Sequence, residues 1–551
     1  MEIVNKAKYQ GVLMLGCLVI VGSFYYYTIL KLSINFPFYD DYESILKFLV
    51  TNETTSNGYE KFSLLFAQHN EHRIVFDRLV AFVEYCLTKK IDFITLNFIG
   101  NLALLAIVVL FYKGLSNKKN KNLLIIPVIF LVFNYRYYQI SFWAMASLQN
   151  LWVLVFAFAS LYFLFQSHVK LYIPVLLAII ASFTSGNGMI TFIAGIIVLI
   201  LLTGITRKLL VWTIMAIITI LFYFYHYKKP PNHPPIVDEL IQHPTHYFQY
   251  LFSFLGTGVS FDPLVAKVTG SILLALAFLF LIKKYFRKNP VLFSYLIFII
   301  LTAIAASLSR FGFGINQALD SRYAINGLLL STCCYLIVIE MGESKWNIVL
   351  GVFFTAVTAF SHIRSYQEFV PAIAQKKSNY LKKDAFRNQG RFVMLDYGWP
   401  YSEKDIPKMW LSGADSLHIF DCHIPEISLD TVPVFTENKK IEYKIESIDT
   451  IDHKLKIRGY ALIRSIDSDL ITTVISVYSG TNLIKQVFSD PHSLYEMRNI
   501  YPKDHVSYEY CGFTIFSSLK GLPVGTYDLY LTLTDGKHQI TTKTESSFTI
   551  L

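Results

Sequence analysis

Long apolar runs separated by short polar connections recur along the first two thirds of the chain, at residues 10–33, 92–112, 122–141, 148–166, 170–185, 187–204, 209–227, 264–282, 290–309, 323–341 and 346–361. About twenty apolar residues cross the roughly 30 Å hydrocarbon core of a bilayer, so this pattern predicts eleven membrane-spanning helices. The fifth and sixth runs are divided only by Ser185, Gly186, Asn187 and Gly188. Read as a kink instead of a turn, that cluster lowers the count to ten and moves every later loop to the other side.

Beyond residue 362 the period changes. A Lys-, Gln- and Asn-rich segment (QKKSNYLKKDAFRNQGR) opens a mixed connecting region, 362–432, and from 433 apolar and polar positions alternate in KIEYKIESI, HKLKIRGYALI, LITTVISVYSG, CGFTIFSSL, YDLYLTLT and HQITTKTESSFTI. Short alternating runs punctuated by SGTN, LPVGT and TDGK predict a β-sandwich over 433–551. The expected architecture is therefore a polytopic α-helical membrane domain, 1–361, with a large first loop at 34–91 and a C-terminal accessory sandwich.

Composition agrees with a lipid-solvated chain: 54% of the 551 residues are hydrophobic, 16% aromatic and only 16% charged, and the mean hydropathy is +0.43. The net charge of +10 has a topological explanation. With the N-terminus inside, fourteen Lys and Arg fall on very short inner connections, while the short outer loops carry only Arg136, Lys228, Lys229, Arg310 and Arg322. That bias favours eleven spans, a cytoplasmic N-terminus and an extracytoplasmic C-terminal domain, and it makes nucleic-acid binding unnecessary. The first span is too long for a signal peptide and has no convincing small-residue cleavage site, so it reads as a retained anchor. Cys17, Cys86, Cys333 and Cys334 lie in or near spans as small hydrophobes, whereas Cys422 and Cys511 lie in the outward region and are free to pair. No metal-ligand spacing of cysteines occurs.

In so uncharged a chain, the first loop stands out. PFYDDYE carries Asp40, Asp41 and Glu43; QHNEHR carries Glu71, His72 and Arg73. Pro37 ends the first span and sets the acids at the membrane boundary. Residues 72–88 predict a helix lying in the interface, with Ile74, Val75, Leu79, Val80, Val83 and Leu87 on one side and Arg73, Asp77, Arg78 and Glu84 off that stripe. A carboxylate there can act as general base on a hydroxyl, and arginines can hold a phosphate with a two-pronged fork. The bland reading is an acid pair and a basic cluster that solvate the loop or cap its helices. On the same side lie NYRYYQISFWAMAS, with Arg136, and SRFGFGINQALDSRYA, with Arg310, Gln317, Asp320, Arg322 and Tyr323. His233, His243 and His246 read as part of a proline-rich surface loop, not a metal site.

An acidic pair at the start of a large first outer loop, an interfacial helix in that loop and about eleven spans resemble the C-type (GT-C-like) integral membrane glycosyltransferases of bacterial envelopes. The FYDDYE, HNEHR and SRFGFGINQALDSRY stretches carry the resemblance, over residues 1–361. It implies a bacterial cytoplasmic-membrane enzyme that takes a sugar from a polyprenyl-phosphate donor in the membrane lipid and passes it to an envelope glycan or glycolipid acceptor. It further implies Asp40 or Asp41 as general base, Glu71 as a second acid orienting the acceptor, and Arg73, Arg310 and Arg322 on the lipid phosphate. Glu43, His72, Arg136 and Tyr323, by their own place in the outer polar stretches, read as further substrate contacts. Some members use a divalent metal; this sequence has no complete ligand set, so metal dependence stays open. A transporter or flippase of lipid-linked saccharide would predict midplane charges and internal repeats, neither of which is evident. A surface-polysaccharide polymerase or ligase would concentrate polar groups in a later loop.

Overall fold

A computed structural model of the chain describes residues 2–116, 120–229, 236–342, 344–385, 410, 413–420, 434–435 and 440–550, the last stretch with short internal gaps. The chain forms two compact units: Met1–Ile373 with Met409–Asp421, and Ala374–Lys408 with Cys422–Leu551.

The first unit is helical. Helix α1 (Glu2–Leu32) leads into a folded loop made of a π-helical turn (Tyr42–Leu46), α2 (Lys47–Thr54), α3 (Gly58–Leu65), a two-stranded hairpin β1 (Gln68–His69) and β2 (His72–Arg73), and α4 (Val75–Thr88). Then come α5 (Phe93–Gly114), three short helices α6 (Lys121–Leu124), α7 (Ile126–Val132) and α8 (Tyr138–Ser141), α9 (Ala144–Leu164), α10 (Tyr172–Thr184), α11 (Ile190–Thr203) and α12 (Arg207–Phe224). Helices α13 (Ile236–Gln242) and α14 (Pro244–Gly256) precede α15 (Pro263–Ile282), α16 (Pro290–Arg310), α17 (Ala324–Met341) and α18 (Ser344–Ala385).

Among the described residues ten helical segments are long and apolar enough to cross a membrane, and the thirteen-residue α10 is a shorter apolar helix at the expected fifth run. Ser185 is extended (φ −156°, ψ 151°) and separates α10 from a 3₁₀ turn at Gly186–Met189. The chain reverses there. Gln149, near the start of α9, reaches Ser185 (3.3 Å), whereas Lys208 at the start of α12 donates to the Leu164 carbonyl at the end of α9. Helix α11 therefore runs back the way α10 came, and the Ser-Gly-Asn-Gly cluster is a turn between two antiparallel passes.

Close helix packing uses glycine. An added Cβ at Gly256 would lie 1.9 Å from the Ala266 carbonyl oxygen, and one at Gly270 would lie 1.9 Å from that of Phe252, so α14 and α15 touch backbone to backbone. The last span does not stop at residue 361. His362 and Arg364 interrupt the hydropathy, yet α18 continues to Ala385, with Phe369 and Ile373 buried in the helical core.

At the end of the bundle away from the first loop, the buried Glu340 carboxylate accepts from the Ser116 amide (2.6 Å), the Tyr285 hydroxyl (2.7 Å) and the Asn289 amide (3.0 and 3.2 Å). One side chain thus joins α5, α16, α17 and the turn before α16.

The second unit holds two four-stranded antiparallel sheets, ordered β10-β9-β5-β6 and β3-β4-β8-β7, from β3 (Ile441–Ile451), β4 (Lys454–Ile463), β5 (Thr472–Ser479), β6 (Asn482–Phe488), β7 (Asp490–His492), β8 (Gly512–Ser518), β9 (Gly525–Thr534) and β10 (Gln539–Ile550). Leu455 and Ile457 of β4, Phe513 and Ile515 of β8, and Leu529, Leu531 and Leu533 of β9 share one apolar core, the period-2 pattern made physical. All six alternating runs are strands, and β6 and β7 add two more. Cys511 is buried here; Cys422 lies outside the described residues.

Replacing Glu340 by Leu removes the acceptor of the Tyr285 hydroxyl and of the Ser116 amide, while Asn289 keeps the Gly114 carbonyl (2.8 Å), at about 1–3 kcal/mol for each buried group left unpaired. The thermal unfolding midpoint of purified Glu340→Leu in detergent falls clearly below wild type, and an unchanged midpoint contradicts this account.

Candidate functional site

The first loop is anchored before it is functional. Asp41 accepts hydrogen bonds from the backbone amides of Phe38 and Met145, both at 2.9 Å, tying the start of the loop to the first turn of α9. It is 1% exposed, and burial pushes its carboxyl up to about 8 despite those two donors. Asn57 caps α3 and Asp92 caps α5, while the Ile91 amide donates to the Ile419 carbonyl (2.8 Å), stitching residues 413–420 to the loop.

Helix α4 forms where the amphipathic pattern places it, but its faces divide differently. Leu79, Val83 and Leu87 are exposed, at 42%, 53% and 80%, whereas Ile74, Val75, Asp77, Arg78, Ala81 and Glu84 are buried. The outward apolar stripe suits an interface, and the charged side is turned onto the protein. Arg78 donates to the carbonyls of Leu64 (3.0 Å), Leu65 (3.1 Å) and Ala67, satisfying the end of α3. Asp77 is fully buried and neither carboxyl oxygen has a hydrogen-bond partner among the described residues; burial holds its carboxyl far above the usual range.

The hairpin 68–73 is the junction of the site. Gln68 exchanges two hydrogen bonds with the Lys228 backbone (2.6 and 2.9 Å), and His72 Nδ1 accepts from the Gly186 amide (3.2 Å) at the α10–α11 turn. Arg73 donates through Nε to the Tyr223 carbonyl (2.7 Å) and through its two other nitrogens to Phe66 and Tyr225 carbonyls. Its fork is committed to backbone, so Arg73 holds the loop onto α12. The tip is a two-residue turn, Asn70–Glu71, with Asn70 at φ 48°, a conformation asparagine tolerates.

From this tip Glu71 pairs with Arg310 at the end of α16, and His72 Nε2 lies 3.6 Å from the same Glu71 oxygen. Asp40 faces the hairpin from the other side: its Oδ1 is buried, 3.9 Å from His69 Nε2, and has no hydrogen-bond partner among the described residues. Burial, then the charges of Glu43 and Glu71, push Asp40 up to about 7; Arg322 pulls it down. His69 cannot act as its counter-ion, because burial and then the nearby Arg78 charge lower it to about 3 and keep the ring neutral.

Each neighbouring arginine already has a partner. Arg310 has Glu71, and Arg322 has Asp320 (3.0 Å), with its guanidinium over the Tyr323 ring (5.0 Å). Arg136 stacks on Phe261 (4.7 Å) and Phe369 (5.9 Å), and its segment is zipped to 321–322: Ser321 donates to the Arg136 carbonyl (2.8 Å) and the Arg322 amide donates to Gln139 (3.2 Å). Tyr250 of α14 donates to Gln317 (3.2 Å), bringing α14 to the same segment. The structure thus gathers Asp40, Glu43, Glu71, Arg310, Arg322 and Tyr323 around one hairpin, uses Asp41, His72 and Arg73 chiefly to hold it, and sets Arg136 in an aromatic box beside it.

His69, Asn70 and Asp77 were not singled out from the sequence as site residues. For the first two a signal existed: His-Asn-Glu-His is a two-residue turn flanked by like residues, which puts both histidines on one hairpin. Among the described residues no group of three or more His, Cys, Asp or Glu is arranged to hold a metal ion. His233 lies outside the described residues, while His243 and His246 stack on each other at 4.9 Å.

Fold and site together define a multi-pass helical membrane protein whose first loop folds into a polar centre at one end of the bundle. Comparison with protein-family models, curated proteins and solved structures finds no match to this chain.

Two outcomes follow. Asp77 binds its proton more tightly folded than unfolded, so it favours the folded state at pH below the ordinary carboxylate range, and that contribution is lost as pH rises. Asp77→Asn, neutral at every pH, therefore gains thermal stability over wild type at pH 8 and little at pH 4, as read by melting curves at both. Arg73→Gln speeds amide exchange at 66–73 and 223–227, read by hydrogen–deuterium exchange; unaltered protection would contradict its role as a staple.

Proposed function

We propose that the protein transfers a sugar from a polyprenyl-phosphate donor to an envelope glycan or glycolipid acceptor, at the membrane face that carries the first loop, with Asp40 as general base. The observation that carries this reading is the state of Asp40: a largely buried carboxyl whose Oδ1 has no hydrogen-bond partner among the described residues, pushed up to about 7 by burial and then by the charges of Glu43 and Glu71. A base poised near working pH is the useful kind. Between the two adjacent acids this favours Asp40, since Asp41 is occupied with two backbone amides.

In this mechanism the acceptor hydroxyl gives its proton to Asp40 as its oxygen attacks the anomeric carbon. The glycosyl–phosphate bond breaks with inversion, and the lipid phosphate departs carrying the charge. In this reading Arg310 and Arg322 receive it, supported by an Arg322 Nε that has no hydrogen-bond partner among the described residues. Glu71 acts as the partner that holds Arg310 until phosphate arrives, a different role from orienting the acceptor.

A lipid tail is also accommodated. An apolar groove of about 560 Å³ is lined by Phe252 of α14, Leu274 and Phe278 of α15, and Ile297 and Ile300 of α16. Ile300 and Ile297 precede Arg310 on the same helix by ten and thirteen residues, about 15 and 20 Å at 1.5 Å per residue. A polyprenyl chain could run from a phosphate at Arg310 into this groove. In the same reading the helical unit has a C-type glycosyltransferase fold in a bacterial cytoplasmic membrane, with the N-terminus cytoplasmic. The two sheets then form an extracytoplasmic sandwich.

The test is transfer by purified protein in bilayers supplied with a panel of polyprenyl-phosphate sugars and isolated envelope glycan. Asp40→Asn lowers the rate about 10²–10⁴-fold, the usual size of a general-base contribution, and Asp41→Asn keeps more activity than Asp40→Asn. The wild-type rate rises with pH through about 7 as Asp40 ionises. Saccharide translocation without transfer, or full activity in Asp40→Asn, sinks the proposal.

A further inference from the structure

Asp40 has one close neighbour that no step above uses. His69 sits on β1, 6% exposed, with Nε2 3.9 Å from Asp40 Oδ1 and 3.4 Å from the Asn70 amide nitrogen. The surroundings are densely charged. Glu43 on the π-helical turn, Glu71 on the hairpin and Arg322 on the 321–323 turn face Asp40, while Arg78 of α4, Lys47 of α2, His72 and Glu71 face His69. The Asn70 side chain also faces Asp40 and lowers its pKa, and beside Oδ1 stands the uncharged His69 ring.

We propose that His69 is a positioning residue for Asp40, its neutral imidazole partnering the carboxyl through Nε2 and setting how readily that carboxyl releases its proton. The role rests on Asp40 being the base. A neutral imidazole carries one N–H and one lone pair: with Nε2 bare it accepts from Asn70 or from a protonated Asp40, and in the other tautomer it donates to an ionised Asp40 in place of the Asn70 contact. A Lys or Arg in its place would pin Asp40 as the anion and remove its basicity. An apolar residue would leave a buried carboxylate oxygen with nothing to receive, at a cost that falls on the ionised form. The hairpin supplies the precision: β1 is held by Gln68 on the Lys228 backbone, and β2 by His72 and Arg73 on the α10–α11 turn and α12. The separation of 3.9 Å closes to a hydrogen bond with a side-chain rotation, as catalytic contacts commonly do once substrate is bound.

The experiment reads Asp40 directly, without substrate. Full-length protein in nanodiscs is titrated by infrared difference spectroscopy, and the Asp40 carboxyl band is identified by its loss in Asp40→Asn. His69→Phe raises the proton affinity of Asp40 about tenfold, one pKa unit. His69→Gln, whose amide can donate or accept, stays within about threefold of wild type, roughly half a unit. If His69→Phe does not fold, His69→Met makes the same comparison. An unshifted band in the apolar variant overturns the proposal, as do equal shifts in the apolar and Gln variants, which would report packing alone. Failure here leaves the transferase reading standing, because that reading fails separately, in the transfer assay.

Discussion

The pairing of Glu71 with Arg310 is the contact on which the rest of the polar centre depends. It joins the tip of a short hairpin to the end of a twenty-one-residue helix, α16, 239 positions later in the chain. Arg310 and Glu71 are each about three-quarters buried, where an unpaired charge costs several kcal/mol, and pairing offsets that cost for both. Each solves the other's problem, and among the described residues Arg310 is engaged by Glu71 and Arg322 by Asp320, so Arg322 only partly offsets the burial and the Glu43 and Glu71 charges that raise Asp40. Its carboxyl stays near neutrality, where it can both take and give a proton.

The loop that carries these groups is rigid for reasons of backbone chemistry. Arg73 and Arg78 spend their guanidinium groups on peptide carbonyls of the loop and α12, and Asp41 spends its carboxylate on two amides. Such contacts satisfy backbone polar groups that irregular chain would otherwise leave bare near lipid. Charge that looks catalytic in a sequence is thus divided between residues that build and residues left with spare capacity. Beside the hairpin tip, Asp40 Oδ1 and Arg322 Nε keep hydrogen-bonding capacity among the described residues, as Arg78 Nε and Arg136 Nε also do, whereas the Arg73 fork is occupied.

Much of the fold was legible because a bilayer and a half-buried sheet each impose one period. The apolar runs became helices at the expected places, and the six alternating segments became strands. The turn at Ser185–Gly188 was readable from its residue types, although its chain reversal needed the contacts of Gln149 and Lys208. Helix α4 was legible as amphipathic but not in its facing, since an interfacial helix can turn its charged side to protein when that side caps other segments. The end of α18 escaped because helix continuity follows backbone hydrogen bonds, not hydropathy. Of the site, the acids and late arginines were visible as charge out of place; His69 was not, because its relevance comes from a cross-chain approach that only the hairpin register creates.

In the proposed reaction this polar centre, with the groove along α14, α15 and α16, receives a lipid phosphate. That binding is tested most directly by a cryo-electron microscopy structure of the protein in nanodiscs with added polyprenyl monophosphate. Phosphate density is expected within hydrogen-bonding reach of Arg310 or Arg322, with the Glu71–Arg310 contact opened and the chain lying along Phe252, Phe278 and Ile300. Phosphate bound at the Glu340 end of the bundle, or a polyprenyl chain seated away from that groove, would contradict it.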